Sequence, residues 1–493
     1  MKNAPTQQKS LKILFAASEA APLVKVGGLG DVAGSLPNTL KDLTTKDIAN
    51  IDVRVVIPFH DVLKKKYPDL EKITSCNVRH KDGLIPADVY QLVFDGLLYY
   101  LIDGEPVRNA AGVYGEDLEV DGNKYVFFSM AVLEMCSKIK WIPDILHAND
   151  WHAAASIYAM HTSRRFTSTF FQTRSILTIH NLPFMGAEAE KALEDYKLTK
   201  CKSSDLPKWG CKQPLPLGIF TANHIVTVSP TYAKEITTPE FGCGIEGFIK
   251  KSEGKVSGIL NGLDIDSWDP VSDAAIQSQY TWKSLNLRKA NKKALLKEFE
   301  LDQDMESPLI IIISRLFHQK GIDLALTTLR SSIDRPWQAI ILGTGEKKLE
   351  KACRKLEEDH PERVRAAIRF DLALSRRMYS GADMILMPSR YEPCGLSQMI
   401  AMRYGCVPVA RATGGLKDTI IDNPEQPERN TGFLFEKAHS NEFTIAIQRA
   451  LNAYENKQLW HAMQVNGMDQ DFSWTRSALQ YVDIYQKVLN EHK

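Results

Sequence analysis

A chain of 493 residues exceeds what one hydrophobic core normally supports, so two or more domains are expected. Its 61 basic and 60 acidic side chains nearly cancel and form no block of like charge, which excludes nucleic acid or a membrane surface as the expected partner. Eight cysteines, with no close spacing beyond Cys201 and Cys211, fit reduced thiols and a cytoplasmic setting, and no stretch reaches the roughly 18 to 20 apolar residues of a membrane helix. The first ten residues, MKNAPTQQKS, lack the apolar centre of a secretory signal.

Short runs rich in branched residues recur along the chain with helical segments between them: LKILFAA, VRVVIP, DILHAND, SILTIHN and HIVTVSP, then KVSGILNG, LIIIISR, QAIILGTG, DMILMPS and VPVAR. Strands of this kind separated by helices predict parallel sheets covered on both faces, an α/β fold. The rhythm breaks between about 236 and 256, a glycine-bearing stretch with charged clusters, which is the expected hinge. The expected domains are therefore Rossmann-like and doubly wound: 1–256, then 257–474, with 475–493 as a closing helix. The stretch 198–216, LTKCKSSDLPKWGCKQPLP, is expected to be a long irregular loop.

Ligands of open α/β sheets gather at the carboxyl ends of strands, so the residues just after each run matter most. KVGGLGD follows the first run. Its glycines would let the backbone approach a ligand closely, and Lys25 offers a point charge for phosphate, although the spacing is not that of a dinucleotide fingerprint. Arg315 and Lys320 follow LIIII, two cations suited to one diphosphate. Glu392 and Gly395 lie in the turn after DMILM, ahead of a helix beginning near Leu396, and Thr413, Gly414 and Gly415 repeat the arrangement after VPVAR. A carboxylate beside a phosphate-binding turn suits a sugar hydroxyl. HANDWH and TIHN place His147, Asp150, His152, His180 and Asn181 at two further strand ends, without the spacing of a zinc site. Trp151, Tyr114 and Tyr391 suit either packing or the apolar face of a sugar.

Taken in order, SEAAPLVKVGGLGDVAGSLP, HANDWHA, TIHN, VTVSPTYAKEI, GILNGLD, SRLFHQKG, PSRYEPCGLSQM, RATGGLKDT and DFSW closely resemble the bacterial glycogen synthases and plant starch synthases, glycosyltransferase family five, over nearly the whole chain. The resemblance implies the GT-B fold, two Rossmann-like domains facing across a cleft. It also implies a retaining glucosyltransferase that moves glucose from ADP-glucose to the non-reducing-end 4-hydroxyl of an α-1,4-glucan. On that resemblance Arg315 and Lys320 hold the donor diphosphate, Glu392 contacts the transferred glucose, and His180 lies on the leaving-group side. Lys25, Gly27, Gly28, Asp31, Asn261, Cys394, Gly395, Leu396, Thr413, Gly414 and Gly415 are implied at the donor, with Asp150, Tyr114 and Asn181 toward the acceptor. The implied partners are a nucleotide sugar and an α-1,4-glucan or maltooligosaccharide. No cofactor or metal is implied, the oligomeric state is open, and the location is the cytoplasm, or the plastid in a plant or alga.

The chain departs from the family at QPLPLGIF, where Pro216 stands in place of an expected lysine, in the preceding KWGCKQP, and at RFDLALS (369–375). Position 400, where related retaining families carry a second acid, is Ile400. Two alternatives stay open: a related transferase using UDP-glucose or a short oligosaccharide acceptor, and a weakly active glucan-binding or priming paralogue.

Overall fold

A computed structural model describes residues 10–43 and 50–491. Of the first ten residues read against a secretory signal, all but Ser10 lie outside the described part. The chain divides into two compact units, one made of residues 1–262 together with 474–493, the other of 263–473.

The first unit is built on a nine-stranded sheet. Its strands are β1 (Leu11–Ala16), β2 (Ile51–Pro58), β3 (Lys72–His80), β4 (Gly83–Phe94), β5 (Leu97–Asp103), β6 (Ile145–Asn149), β7 (Arg174–Ile179), β8 (His224–Thr227) and β9 (Val256–Gly258), in the order β3-β4-β5-β2-β1-β6-β7-β8-β9. All pairings are parallel except β3 with β4 and β4 with β5. The second unit carries six parallel strands: β10 (Leu309–Ile313), β11 (Gln338–Leu342), β12 (Val364–Ala367), β13 (Met384–Met387), β14 (Val407–Arg411) and β15 (Phe433–Phe435), in the order β12-β11-β10-β13-β14-β15. Every apolar run read from the sequence is a strand. β10, LIIII, is almost wholly buried, as a parallel strand covered on both faces requires.

Three features differ from the sequence reading. The stretch 236–256 is no hinge: it forms the short helix Glu246–Lys251 and leads into β9, which pairs with β8 inside the first sheet. The chain instead leaves the first unit after Gly262 and returns at Trp474. The two connecting segments run side by side there. Leu263 donates its N–H to the Phe472 carbonyl at 2.7 Å, and a Cβ on Gly262 would stand 2.6 Å from the Trp474 Cα. Second, the antiparallel β3–β4 hairpin was missed because its alternating burial gives no continuous apolar run. Third, QPLPLGIF is not the tail of a loop but the buried helix Pro214–Thr221. A Cβ on its Gly218 would lie 2.8 Å from that of Ala154, so the departure at Pro216 is a packing change in the core.

The helix Trp474–Asn490 completes the first unit's core. Trp474, Ala478, Tyr481, Val482, Tyr485 and Val488 recur at helical spacing, all are buried, and they join Leu36 and Leu40 of the helix Gly28–Asp42 in one cluster. Each such side chain contributes roughly 1.5 to 3 kcal/mol by burial. His147 of β6 is fixed from the same helix, its Nδ1 lying 2.8 Å from the Tyr485 hydroxyl while Nε2 meets Thr178 Oγ1 at 2.7 Å.

Candidate active site

In the first unit the residues after β1 build a cage around an acid. Glu19 is fully buried, and both its carboxylate oxygens accept the Gly27 N–H at 3.1 Å; the Val26 N–H also donates to it. Tyr114 donates its hydroxyl to Glu19 Oε1 at 3.0 Å and meets Ser18 Oγ at 2.9 Å. Burial pushes the Glu19 carboxyl up, against the pull of these hydrogen bonds. A Cβ on Gly30 would sit 3.1 Å from Glu19 Oε2, so the glycine permits close approach to the protein's own carboxylate. Gly28 has no such duty, since its Cβ would meet nothing within 4 Å. Lys25 and Asp31 pair at 2.7 Å on the outside of the loop. Tyr114 stays 39% exposed while its hydroxyl is enclosed, and burial raises that hydroxyl well above its ordinary range.

The ends of β6 and β7 interlock. Asp150, at φ 51 and the first residue of the helix Asp150–Thr162, accepts the His180 N–H at 2.7 Å and the Asn181 N–H at 3.4 Å. Burial pushes its carboxyl up to about 7, opposed by those two amides and helped by the charge of Glu19. Asn149 donates its Nδ2 to the Ala16 carbonyl at 3.0 Å, so its Oδ1, 2.9 Å from His180 Nε2, is an acceptor. That assigns the proton to Nε2 and leaves Nδ1 bare. Burial lowers His180 to about 3, so the ring is neutral near pH 7. The Oδ1 of Asn181 is buried without a hydrogen-bond partner, an acceptor suited to a hydroxyl. The Asn261 Oδ1 is in the same condition, and Asn261 belongs to the first unit, whereas the sequence reading put it in the second domain.

In the second unit Ser314, Arg315, Lys320, Ser389, Glu392 and Gly395 line a cavity of about 200 Å³ at the ends of β10 and β13. Lys320 Nζ donates to both Glu392 oxygens, at 2.8 and 2.6 Å, and Ser389 Oγ donates to Oε2 at 2.9 Å. An ammonium has three N–H groups and Glu392 engages two oxygens, so Lys320 is not wholly spent. Arg315 is exposed, its guanidinium 5.3 Å from the Phe317 ring centroid, with no carboxylate within 4 Å among the described residues. Among the described residues, Glu392 is the only carboxylate lining the cavity. Gly321, at φ 65, brings the two loops together: its Cβ would stand 2.0 Å from the Pro388 carbonyl oxygen.

The glycines after β14 have a packing task that the sequence did not show. Side chains at Gly414 and Gly415 would overlap the carbonyl oxygens of Glu392 at 2.0 Å and Cys394 at 2.1 Å, and the Gly415 N–H bonds those of Glu392 and Pro393, each at 3.2 Å. Together with Thr413, which is fully buried, they dock one loop on another and so shape the Glu392 turn. Gly395, at φ 75, leads into Leu396, the cap residue of the helix Ser397–Arg403. Buried Gln398 fastens this turn through Nε2 to the carbonyls of Cys394 and Gly395, at 3.1 and 3.0 Å.

Sequence reasoning thus missed Glu19, Ser389 and Gln398. Glu19 stands eight positions before Gly27 in a stretch already singled out, and a buried acid beside a glycine loop would have been its signal. The described residues hold no group of three or more metal-ligating side chains, and no helix among them is long and apolar enough to cross a membrane.

The profile of the starch synthase catalytic domain matches residues 12–251, and that of group 1 glycosyl transferases matches 296–464. The glycogen synthase of Clostridium perfringens is 37% identical over 492 residues, covering 98% of this chain and 99% of its own. That of Lactococcus lactis is 37% identical, covering 97% of this chain and 100% of its own. The catalytic domain of starch synthase IV from Arabidopsis thaliana, bound to ADP and acarbose, superposes with a TM-score of 0.87 at 30% identity, covering 98% of this chain and 100% of that one. With two α/β units and relatives matched over nearly the whole chain, the chain belongs to the glycogen synthase and starch synthase family of GT-B glycosyltransferases.

Proposed function

We propose that this chain elongates an α-1,4-glucan by transferring glucose from ADP-glucose to the non-reducing-end 4-hydroxyl with retention. The observation that carries the reading is the cavity in which Lys320, Arg315 and Glu392 meet. A departing nucleoside diphosphate needs its growing charge met, and Arg315 with the remaining capacity of Lys320 supplies that. Glu392, held by Lys320 and Ser389, is placed for a glucose hydroxyl or for the positive charge that develops on the sugar. Among the described residues no second carboxylate lines the cavity, and position 400 is isoleucine, which favours front-face departure and attack over a covalent glucosyl intermediate. A glucosyl-carboxylate trapped and seen by mass spectrometry would sink that mechanism.

Asp150, Asn181 and Tyr114 take the acceptor side in this reading. The orphaned Asn181 oxygen supports it. His180 gives its N–H to Asp150, and in this reading its main-chain carbonyl would face positive charge. Lys25 and Asp31, already paired, would exchange partners when a donor binds. The choice of an adenine nucleotide and a glucan rests on the starch synthase IV complex with ADP and acarbose. No cofactor is required, and the cytoplasm is the expected compartment.

The test is transfer of labelled glucose from ADP-glucose or UDP-glucose, with and without glycogen or maltooligosaccharides. Polymer-bound label from ADP-glucose is the expected result. Label only from UDP-glucose would move the donor assignment, and none from either would favour the binding or priming paralogue.

A further inference from the structure

The segment 198–216 carries chemistry that glucose transfer does not use. Cys201 and Cys211 are both half-buried free thiols, and their sulfurs lie 2.9 Å apart, with Cys211 S–H donating to Cys201 Sγ. A disulfide bond is about 2.05 Å long, so closing the pair asks for a movement of roughly 1 Å. The two sulfurs open on a cavity of about 440 Å³ that Lys200, Lys202, Lys208 and Lys212 also line. Lys200 pairs with Glu194 at 2.9 Å and Lys212 with Glu190 at 2.8 Å. Lys202 and Lys208 have no carboxylate within 4 Å among the described residues, which leaves the cavity mouth positive. Five of the remaining six cysteines are buried, and Cys243 alone is exposed.

We propose that Cys201 and Cys211 form a redox-active dithiol that closes to a disulfide by exchange with a small anionic disulfide admitted by this lysine-lined cavity. The roles of the two sulfurs differ. Burial and the hydrogen bond to Cys201 push the Cys211 thiol up to about 11, so Cys211 keeps its proton and Cys201 is the sulfur that attacks. The Cys201 thiolate attacks one sulfur of the incoming disulfide, the S–S bond breaks, and the first small thiolate leaves and takes a proton from water. Cys211 then gives its proton to water and attacks the Cys201 sulfur, the mixed-disulfide S–S bond breaks, and the second small thiolate leaves and takes a proton from water. Two electrons pass from the pair to the reagent, and two small thiols are produced. Lys202 and Lys208 raise the local concentration of an anionic reagent.

The ring so closed is anchored at both ends. Thr199 accepts the Tyr158 hydroxyl on its carbonyl at 2.7 Å, and beyond Cys211 the Leu215 N–H reaches the Met185 carbonyl at 3.2 Å. Closure therefore stiffens a segment fastened to the helix of Asp150 and to the strand end of Asn181.

The experiment incubates the full chain with oxidised glutathione and follows it by intact mass, peptide mapping and non-reducing tryptic digestion. The expected result is loss of two hydrogens with a Cys201–Cys211 cross-link, so that fragments cut at Lys202 or Lys208 stay joined until reductant is added. Cys211→Ser should accumulate a glutathione adduct at Cys201, and Cys201→Ser should form neither product. Cystamine, a cationic disulfide, should react about tenfold more slowly. If the serine variants fail to fold, Lys202→Glu with Lys208→Glu in the parent chain replaces them, and it should slow closure by glutathione disulfide. Adducts confined to Cys243, an unclosed mixed disulfide in the parent chain, or equal rates with the two reagents would overturn the proposal. None of these readouts depends on glucosyl transfer, so the dithiol and the proposed function fail separately.

Discussion

Each unit holds a buried glutamate at the exit of its sheet, and the two are stabilised by different means. Glu19 is held by neutral dipoles, the amides of Val26 and Gly27 and the Tyr114 hydroxyl, and burial raises its carboxyl. Glu392 is held by a charge, the Lys320 ammonium, with Ser389 in support. The same contrast extends outward. Around Glu19 stand Asp150, raised to about 7, and His180, lowered to about 3, both shifted chiefly by burial. The first site therefore works with groups whose charge is held near balance, the second with a fixed ion pair that a phosphate can reorganise.

The contrast is sharpest at Lys320. Lys320→Ala removes the partner of a carboxylate that is 8% exposed and one of the cations proposed for the diphosphate. Turnover should fall at least about tenfold, and the second unit should lose about 3 kcal/mol in denaturant melts. Unchanged turnover would remove Lys320 from the donor site. Glu19→Ala comes next, since it orphans two amides and a hydroxyl. A loss of about 2 kcal/mol is expected, and Glu19→Gln, which keeps one acceptor, should lose no more than half of that. Equal losses would mean that the negative charge, not the shape of the acceptor, holds the loop.

The third test uses pH. A histidine lowered by burial binds its proton more readily when unfolded, so stability is lost as pH falls from about 6.5 toward the folded value. His147 and His180 are lowered to about 3 and His60 to about 4, all in the first unit. Asp150 has the opposite sign: raised to about 7, it costs stability as pH rises from about 4 to 7. Burial also lowers His152, His161 and His224 and raises Glu19 and Glu134, so six histidines stand against three carboxyls in this unit and prevail. Amides of β6 and β7, corrected for intrinsic exchange, should lose protection between pH 7 and 5 more than those of β10 and β11. In Asp150→Asn the pH slope of first-unit stability should steepen by about 1.4 kcal/mol per pH unit within that window. Equal loss in both sheets would erase the contrast. The smallest effect is expected from Tyr485→Phe, which removes the hydroxyl beside His147 Nδ1 and should cost about 1 kcal/mol without altering turnover.

The α/β architecture was legible because a parallel strand buried on both faces has to be a continuous apolar run, and LIIII or QAIIL can hardly be anything else. The β3–β4 hairpin was not, because half-exposed strands alternate and imitate loop composition. The cavity of the second unit was readable in its charged members, since Arg315, Lys320 and Glu392 stand at strand exits, where the topology alone draws attention. It was opaque in its steric members. Nothing in ATGG announces that Gly414 and Gly415 make room for the carbonyls of Glu392 and Cys394; only coordinates show it. Glu19 was passed over for a similar reason, since its value lies in amides eight residues away.

The return of residues 474–493 to the first unit bears on biosynthesis. A ribosome releases Leu11 long before Tyr485, yet the two lie in one apolar cluster. The half translated first is thus finished last, after the 263–473 half has emerged whole. A gene cut at position 262 would express a body whose apolar cluster lacks seven buried side chains from one helix, and appending 474–493 to that fragment is the repair this arrangement prescribes.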